Sequence, residues 1–190
     1  MPLDSESRWR LARKAKAQPQ AEPAPLIYRD AVETDMLQVL EIYNYYIKNS
    51  VVTFDLEPMT ISAWLEKYRW IKGLNLPFIV VEGSDQQILG FAYVAPWRAK
   101  AAYKRTVEDS IYLRPAATGK RIGTTLLEKL IDACKAAGVR EIVAVISDKG
   151  AEPSIKIHEN AGFKHQGHLG KVGFKFNRWL GVTLLQRSLK

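Results

Sequence analysis

The segment from Val107 to Leu130 constrains the fold more than any other part of the chain. Val107, Asp109, Ile111 and Leu113 alternate with Glu108, Ser110 and Tyr112, the period-two pattern of a strand. Arg114-Pro115-Ala116-Ala117-Thr118-Gly119-Lys120-Arg121-Ile122-Gly123 follows as a basic, glycine-containing loop. Leu126, Leu127, Leu130, Ile131 and Cys134 then recur at helical spacing until Gly138. The N–H groups left free at a helix start, with the helix dipole behind them, bind phosphate. Gly119 and Gly123 let the backbone approach a ligand closely, Lys120 and Arg121 add positive charge, and Thr124 and Thr125 can cap the helix or donate hydroxyls. Taken alone, the stretch reads better as an ordinary turn with solvated cations. Neither Gly-x-x-x-x-Gly-Lys-Ser/Thr nor Gly-x-Gly-x-x-Gly occurs in it.

The rest of the pattern predicts an α/β fold around this unit. Leu26-Ile27-Tyr28 reads as a short strand. Thr34 and Thr60 can cap two helices, the first carrying Met36, Val39, Leu40, Tyr43, Tyr46 and Ile47, the second Ile61, Trp64, Leu65, Tyr68 and Ile71. Phe78–Glu82 and Ile88–Ala95 flank Gly83-Ser84-Asp85 as a hairpin. Ile142–Ile146 is a continuous apolar run, which predicts a strand covered on both faces. Pro153 opens a helix that Gly162 closes, and strands follow around Phe163–Gly167 and Trp179–Leu189. The predicted order is β-α-α-β-β-β-α-β-α-β-β, a mixed sheet of about seven strands with helices on both faces. A chain of 190 residues suits one such domain over 26–190, preceded by a mobile arm over 1–25 that is rich in Pro, Ala and Gln.

Composition narrows the function classes. One Cys excludes an internal disulfide framework or Cys-cluster zinc site and suits a reducing compartment, so a cytoplasmic location is expected. No stretch approaches the roughly 18 apolar residues of a membrane-spanning helix, and no apolar core follows the N-terminal charges as a secretory signal requires. The formal net charge is +8, which suits nucleic acid, an anionic membrane or a polyanionic ligand. Residues 1–25 hold five basic and three acidic residues, so six of the eight surplus charges fall on the domain.

Several residues could carry chemistry. Glu108 is an acid on an otherwise branched and aromatic strand; it either pairs with Arg114 or Lys104, or is raised by partial burial into a general base. His158, in Ser154-Ile155-Lys156-Ile157-His158-Glu159-Asn160-Ala161-Gly162-Phe163, stands on a helix and gains interest only if it faces the cleft of the phosphate loop. The Trp97–Arg105 stretch interleaves aromatics with cations and suits nucleic acid, a small anionic substrate or plain solvation. Cys134 reads as core. His165-x-x-His168 lacks a third ligand at matching spacing, so no metal site is expected.

In this order the segments resemble the GNAT superfamily of acetyl-CoA-dependent N-acyltransferases, and within it the phosphinothricin and methionine sulfone/sulfoximine N-acetyltransferases. The likeness covers residues 27–190. It rests on Tyr45-Tyr46-Ile47, Ser50-Val51-Val52-Thr53-Phe54, Ala95-Pro96-Trp97 with Ala102-Tyr103, Thr106 to Leu113, His158 to Phe163, and Val172-Gly173-Phe174-Lys175 with Trp179. The resemblance implies that residues Ile111, Tyr112, Leu113, Thr118, Gly119, Lys120, Arg121, Ile122, Gly123 and Thr124 bind acetyl-CoA. It implies that strand 107–113 splays from strand 141–146, that Glu108 and His158 are catalytic, and that Phe54, Lys100, Tyr103, Ser110 and Val182 contact an amino-acid substrate. A homodimer is the usual family state. Arg121 departs from the family loop, which has Gly there, and Gly119 is offset by two. Other readings of the chain are an N-acetyltransferase for a peptide N-terminus, an aminoglycoside or a polyamine, and an acyl-CoA-binding module without catalysis. Nucleic-acid binding ranks lowest, because acids are interspersed through the domain, and no membrane partner is expected.

Overall fold

A computed structural model describes residues 25–190, which form seven strands and four α-helices. The strands are β1 (Ile27–Asp30), β2 (Phe78–Glu82), β3 (Ile88–Pro96), β4 (Thr106–Leu113), β5 (Glu141–Ser147), β6 (Lys164–Lys175) and β7 (Arg178–Ser188). The helices are α1 (Met36–Asn49), α2 (Ile61–Gly73), α3 (Ile122–Ala136) and α4 (Glu152–Asn160). This is the predicted order of elements. The arm expected over 1–25 lies, apart from Pro25, outside the described residues.

One sheet holds all seven strands in the order β1-β2-β3-β4-β5-β7-β6. Every neighbouring pair is antiparallel except β4 and β5. Alternating side chains send the apolar residues into two cores, one on each face. Phe78, Val80, Phe91 and Tyr93 pack against Met36, Ile47, Trp64 and Ile71 of α1 and α2. Ile79, Val81, Ala92 and Val94 pack on the other face against Leu126, Leu127 and Leu130 of α3, with Ile157 of α4 at the margin. Cys134 is fully buried in this second core, as its helical position predicts.

Local differences from the sequence reading have physical causes. Thr60 does cap α2, accepting from the Ala63 amide at 3.3 Å. Thr34 does not cap α1, because Glu33–Asp35 forms a 3-10 turn that carries the chain into the helix. There Asp35 accepts the Val32 amide at 2.8 Å and holds Arg29 at 2.7 Å. The apolar run of β5 is not covered on both faces: Ile142, Ala144 and Ile146 are buried, whereas Val143 and Val145 are only partly so. The strand expected around Phe163–Gly167 runs on to Lys175, and two register shifts interrupt its pairing with β7. Phe176 and Asn177, both at positive φ, make the tight turn between them, the two-residue geometry that matches strand twist.

The sheet also requires close backbone packing at Gly90, which pairs with Leu113 at the end of β4. A Cβ there would lie 2.8 Å from the Tyr112 carbonyl oxygen and overlap the Leu113 side chain. Gly90→Ala should therefore lower the unfolding free energy by about 1–3 kcal/mol in urea titrations. Gly73→Ala, where no atom lies within 4 Å of the added Cβ, should be neutral or stabilising.

Candidate active site

The site begins where β4 leaves β5. The two strands pair only at Thr106–Glu141, Val107–Ile142 and Glu108–Val143. Beyond that point β4 stays with β3 as far as Leu113–Gly90, and β5 stays with β7 to Ser147–Val182. The edge of β4 from Asp109 to Leu113 that faces β5 therefore has no strand partner, the splaying expected from the resemblance. Tyr46 of α1 ties down the end of this edge, its hydroxyl donating to the Leu113 carbonyl at 2.7 Å. A cavity of about 810 Å³ fills the gap, within the usual size range of small-molecule sites.

Register assigns the side chains to faces. Glu108 pairs across from Ala95, Ser110 from Tyr93 and Tyr112 from Phe91, so these three share the α1/α2 face. Glu108 lines the cavity without an ion-pair partner among the described residues. Neither candidate partner reaches it, and Arg114 instead holds Glu41 at 2.9 Å. Burial pushes the Glu108 carboxyl above its ordinary value and the adjacent Asp109 charge adds to this, while Arg98 and Lys67 oppose them.

Lys67 was not legible as a site residue. It sits on α2 with its Nζ over three rings, 4.8 Å from the Tyr93 centroid, 5.1 Å from Trp64 and 5.7 Å from Tyr43. Such a cation–π cage attracts an ammonium to the faces of the rings and fixes its place. The available signal was its position three residues after Trp64 on the same helical face.

Asp109 points to the opposite face and meets His158 of α4. The imidazole Nε2 lies 2.9 Å from Asp109 Oδ2 and Nδ1 lies 2.7 Å from the Ser154 carbonyl oxygen. Both side chains are 1–2% exposed. Burial would push the imidazole down, but the Asp109 charge, its hydrogen bond and the Ser154 carbonyl outweigh it, leaving the His158 pKa above its ordinary value. Glu108 and His158 thus line one cavity from opposite faces of the sheet, because the gap between β4 and β5 passes through it.

The far end of the cavity is the start of α3. A 3-10 turn over Pro115–Ala117 leads to Gly119 at φ 74° and Arg121 at φ 61°, which precedes the helix. No side chain caps α3, so its first N–H groups are left for a ligand. Thr124 and Thr125 lie inside the helix rather than at its cap, and the Thr125 hydroxyl turns back to the Arg121 carbonyl at 3.5 Å. Gly119 and Arg121 thus share the left-handed backbone of this turn. The cavity is lined by Ile111–Leu113, Thr118, Gly119 and Arg121–Thr124, but not by Lys120. Open strand edge, uncapped helix start and Arg121 together fit a ligand with an extended arm and a diphosphate.

Of the other expected contacts, Phe54, Ser110 and Val182 line the cavity, whereas Lys100 and Tyr103 lie outside it. Both stand on the exposed connection after β3, where Arg98 stacks 4.5 Å from the Trp97 ring. Phe54 is held from β6: a Cβ at Gly173 would overlap its ring, and Lys175 donates to the Thr53 carbonyl at 2.8 Å. Tyr43 anchors the same loop by donating to Asp55 at 2.5 Å. His165 and His168 bond Glu159 and Asp148 separately, and among the described residues no cluster could hold a metal. No described helix is long and apolar enough to cross a membrane.

Comparison with known proteins gives concordant results. Residues 39–163 match the sequence profile described as the acetyltransferase (GNAT) family. A phosphinothricin N-acetyltransferase of Alcaligenes faecalis is 34% identical over 157 residues, covering 83% of this chain and 79% of that one. An L-methionine sulfoximine/L-methionine sulfone acetyltransferase of Pseudomonas aeruginosa is 34% identical, covering 85% and 93%. Among solved structures, a phosphinothricin acetyltransferase of Sinorhizobium meliloti in complex with AcCoA superimposes with a TM-score of 0.82 at 39% identity, covering 86% and 88%.

Arg121 adopts a conformation that costs a non-glycine residue about 1–2 kcal/mol. Arg121→Gly should therefore keep or raise the thermal midpoint, a result that differential scanning calorimetry can check. A marked drop would mean the arginine side chain holds the loop.

Proposed function

Because this chain belongs to the acetyltransferase (GNAT) family, we propose that it transfers an acetyl group from acetyl-CoA directly to the α-amino group of a small amino-acid-type acceptor. Phosphinothricin, methionine sulfone and methionine sulfoximine are the first candidates, from the names of its relatives. The observation that carries the reading is the unpaired, part-buried Glu108 standing where β4 and β5 separate.

Acetyl-CoA, when bound, supplies the acetyl group as a thioester. The uncapped start of α3, with Gly119, Arg121 and Gly123, would hold its diphosphate, and the open edge of β4 would pair with its pantetheine arm. A free α-amino group has a pKa of about 7.7–8.0 and is mostly protonated near pH 7. Glu108 takes one proton from the ammonium, so that the nitrogen lone pair can form the new amide bond. The second proton leaves that nitrogen as the bond to sulfur breaks, and the thiol carries it away. N–H groups on the β4 edge around Ile111–Leu113 would meet the negative charge developing on the acetyl oxygen. One such donor is worth about 2.7–4 kcal/mol in comparable sites. Cys134 takes no part, since burial pushes its thiol up to about 12.

At the acceptor end, Lys67 and Arg98 put positive charge near Glu108, which suits an acceptor carboxylate and works against polyamines. Phe54, Ser110 and Val182 supply the remaining walls. A homodimer is part of this proposal. Leu169, Val172, Phe174, Phe176 and Trp179 of the β6–β7 hairpin are each about half exposed, an apolar patch suited to a partner.

Glu108→Gln should lower kcat by about 10²- to 10⁴-fold while calorimetry still detects coenzyme A binding. In the wild type, kcat/KM should rise with pH through the elevated Glu108 pKa, because the base must be ionised, and that limb should vanish in the variant. A thiol-release assay across the three named acceptors, ordinary amino acids and an aminoglycoside decides the substrate. Unchanged turnover in Glu108→Gln would remove its role, and no thiol release with any amine would leave only cofactor binding.

A further inference from the structure

The geometry at Asp109 says more about how His158 works, and it rests on the base role given to Glu108. A backbone carbonyl can only accept, so the hydrogen bond to Ser154 places a proton on His158 Nδ1. The Nε2 contact to Asp109 Oδ2 then contains a proton of its own. Neither ring nitrogen is left for a thiol, an amine or a water. The ring is also wedged edge-on against Phe163, 4.9 Å away, and is 1% exposed. On the other side, Asp109 Oδ1 is buried with no hydrogen-bond partner among the described residues, so His158 is the group that satisfies this carboxylate.

We propose that His158 is a positioning residue: a buried imidazolium that neutralises Asp109 and clamps α4 to β4 directly beside Glu108, and not an acid or base on the reacting atoms. Three charged groups bear on Glu108, namely Asp109 on its own strand, Lys67 on α2 and Arg98 on the loop after β3. Cys134 of α3, a neutral thiol, is the titratable group on the Asp109 side. With the imidazolium in place, Asp109 is half of a neutral pair. Without it, a bare carboxylate would be buried one residue from the base, and the site would hold two adjacent negative charges or draw in a proton. Either event would alter the charge that Glu108 works against. The stabilisation from the pair is complete below about pH 6.5, the ordinary histidine value, and is lost as pH rises through the elevated His158 pKa.

Nitrogen NMR of the full chain, labelled with 15N-histidine, tests this without reference to activity. The chain has three histidines, and the exposed His165 and His168 serve as internal references. At pH 7 the His158 ring should carry protons on both nitrogens, and in Asp109→Asn on Nδ1 alone. An unprotonated ring nitrogen on wild-type His158 at that pH would overturn the proposal. Kinetics supply the second arm. His158→Gln should slow turnover by roughly 10- to 100-fold through misplacement of the base. The double variant Asp109→Asn/His158→Gln, which replaces the ion pair with two neutral amides, should recover most of that loss. A double variant no faster than His158→Gln would mean that the imidazole itself serves the reaction. If the wild type acetylates no amine, the functional reading fails, and the ring-nitrogen result still decides the ion pair.

Discussion

Everything in the site depends on a conflict of allegiance between two neighbouring strands. β4 and β5 share three register pairs, whereas each shares seven with its antiparallel partner on the other side. Parallel pairing is the weaker kind, and twist accumulates along a sheet. Each strand therefore follows its stronger partner, and the two separate after Glu108. One departure from regular pairing produces a gap through the sheet, an unsatisfied strand edge and a path from the α1/α2 face to the start of α3.

That gap explains how carboxylates on opposite faces serve one cavity. In an unbroken sheet Glu108 and Asp109 would be insulated from each other's ligands by the sheet itself. Here each face brings its own basic side chain. Lys67, caged by aromatic rings, stands on the Glu108 side, and His158 stands on the Asp109 side. The two ionic environments differ in kind. Lys67 lines the cavity, whereas His158 is buried against Asp109 with both ring nitrogens in contact. The loop bearing Phe54 is fixed from two directions, by α1 through Tyr43 and by the long hairpin through Lys175 and Gly173.

Much of this was legible before any coordinates. The alternation from Val107 to Leu113, the cap at Thr60 and the Pro153–Gly162 bounds are local signals, and the structure realises each of them. The resemblance supplied the splayed strands and the pocket residues at Phe54, Ser110 and Val182. What escaped was longer-range. The extension of β6 to Lys175 leaves most of its residues exposed, so no burial pattern betrayed it. The same is true of Lys67, whose meaning comes from the Tyr43 and Tyr93 rings of other elements as well as from Trp64 on its own helix, and of Asp109, whose partner lies 49 residues further along. Lys100 and Tyr103 had the right composition for a pocket, yet their connection runs out into solvent.

The sequence by itself determined the order of elements, the apolar residues of each face and the glycine-bearing turn at the mouth of α3. Those follow from periodicity and from backbone preferences that act within a few residues. Tertiary structure alone decided which carboxylate is left without an ion-pair partner among the described residues and which is locked to an imidazole. Glu108 and Asp109 are adjacent and chemically alike, and only the face each occupies, with the groups that other elements bring to that face, sets them apart.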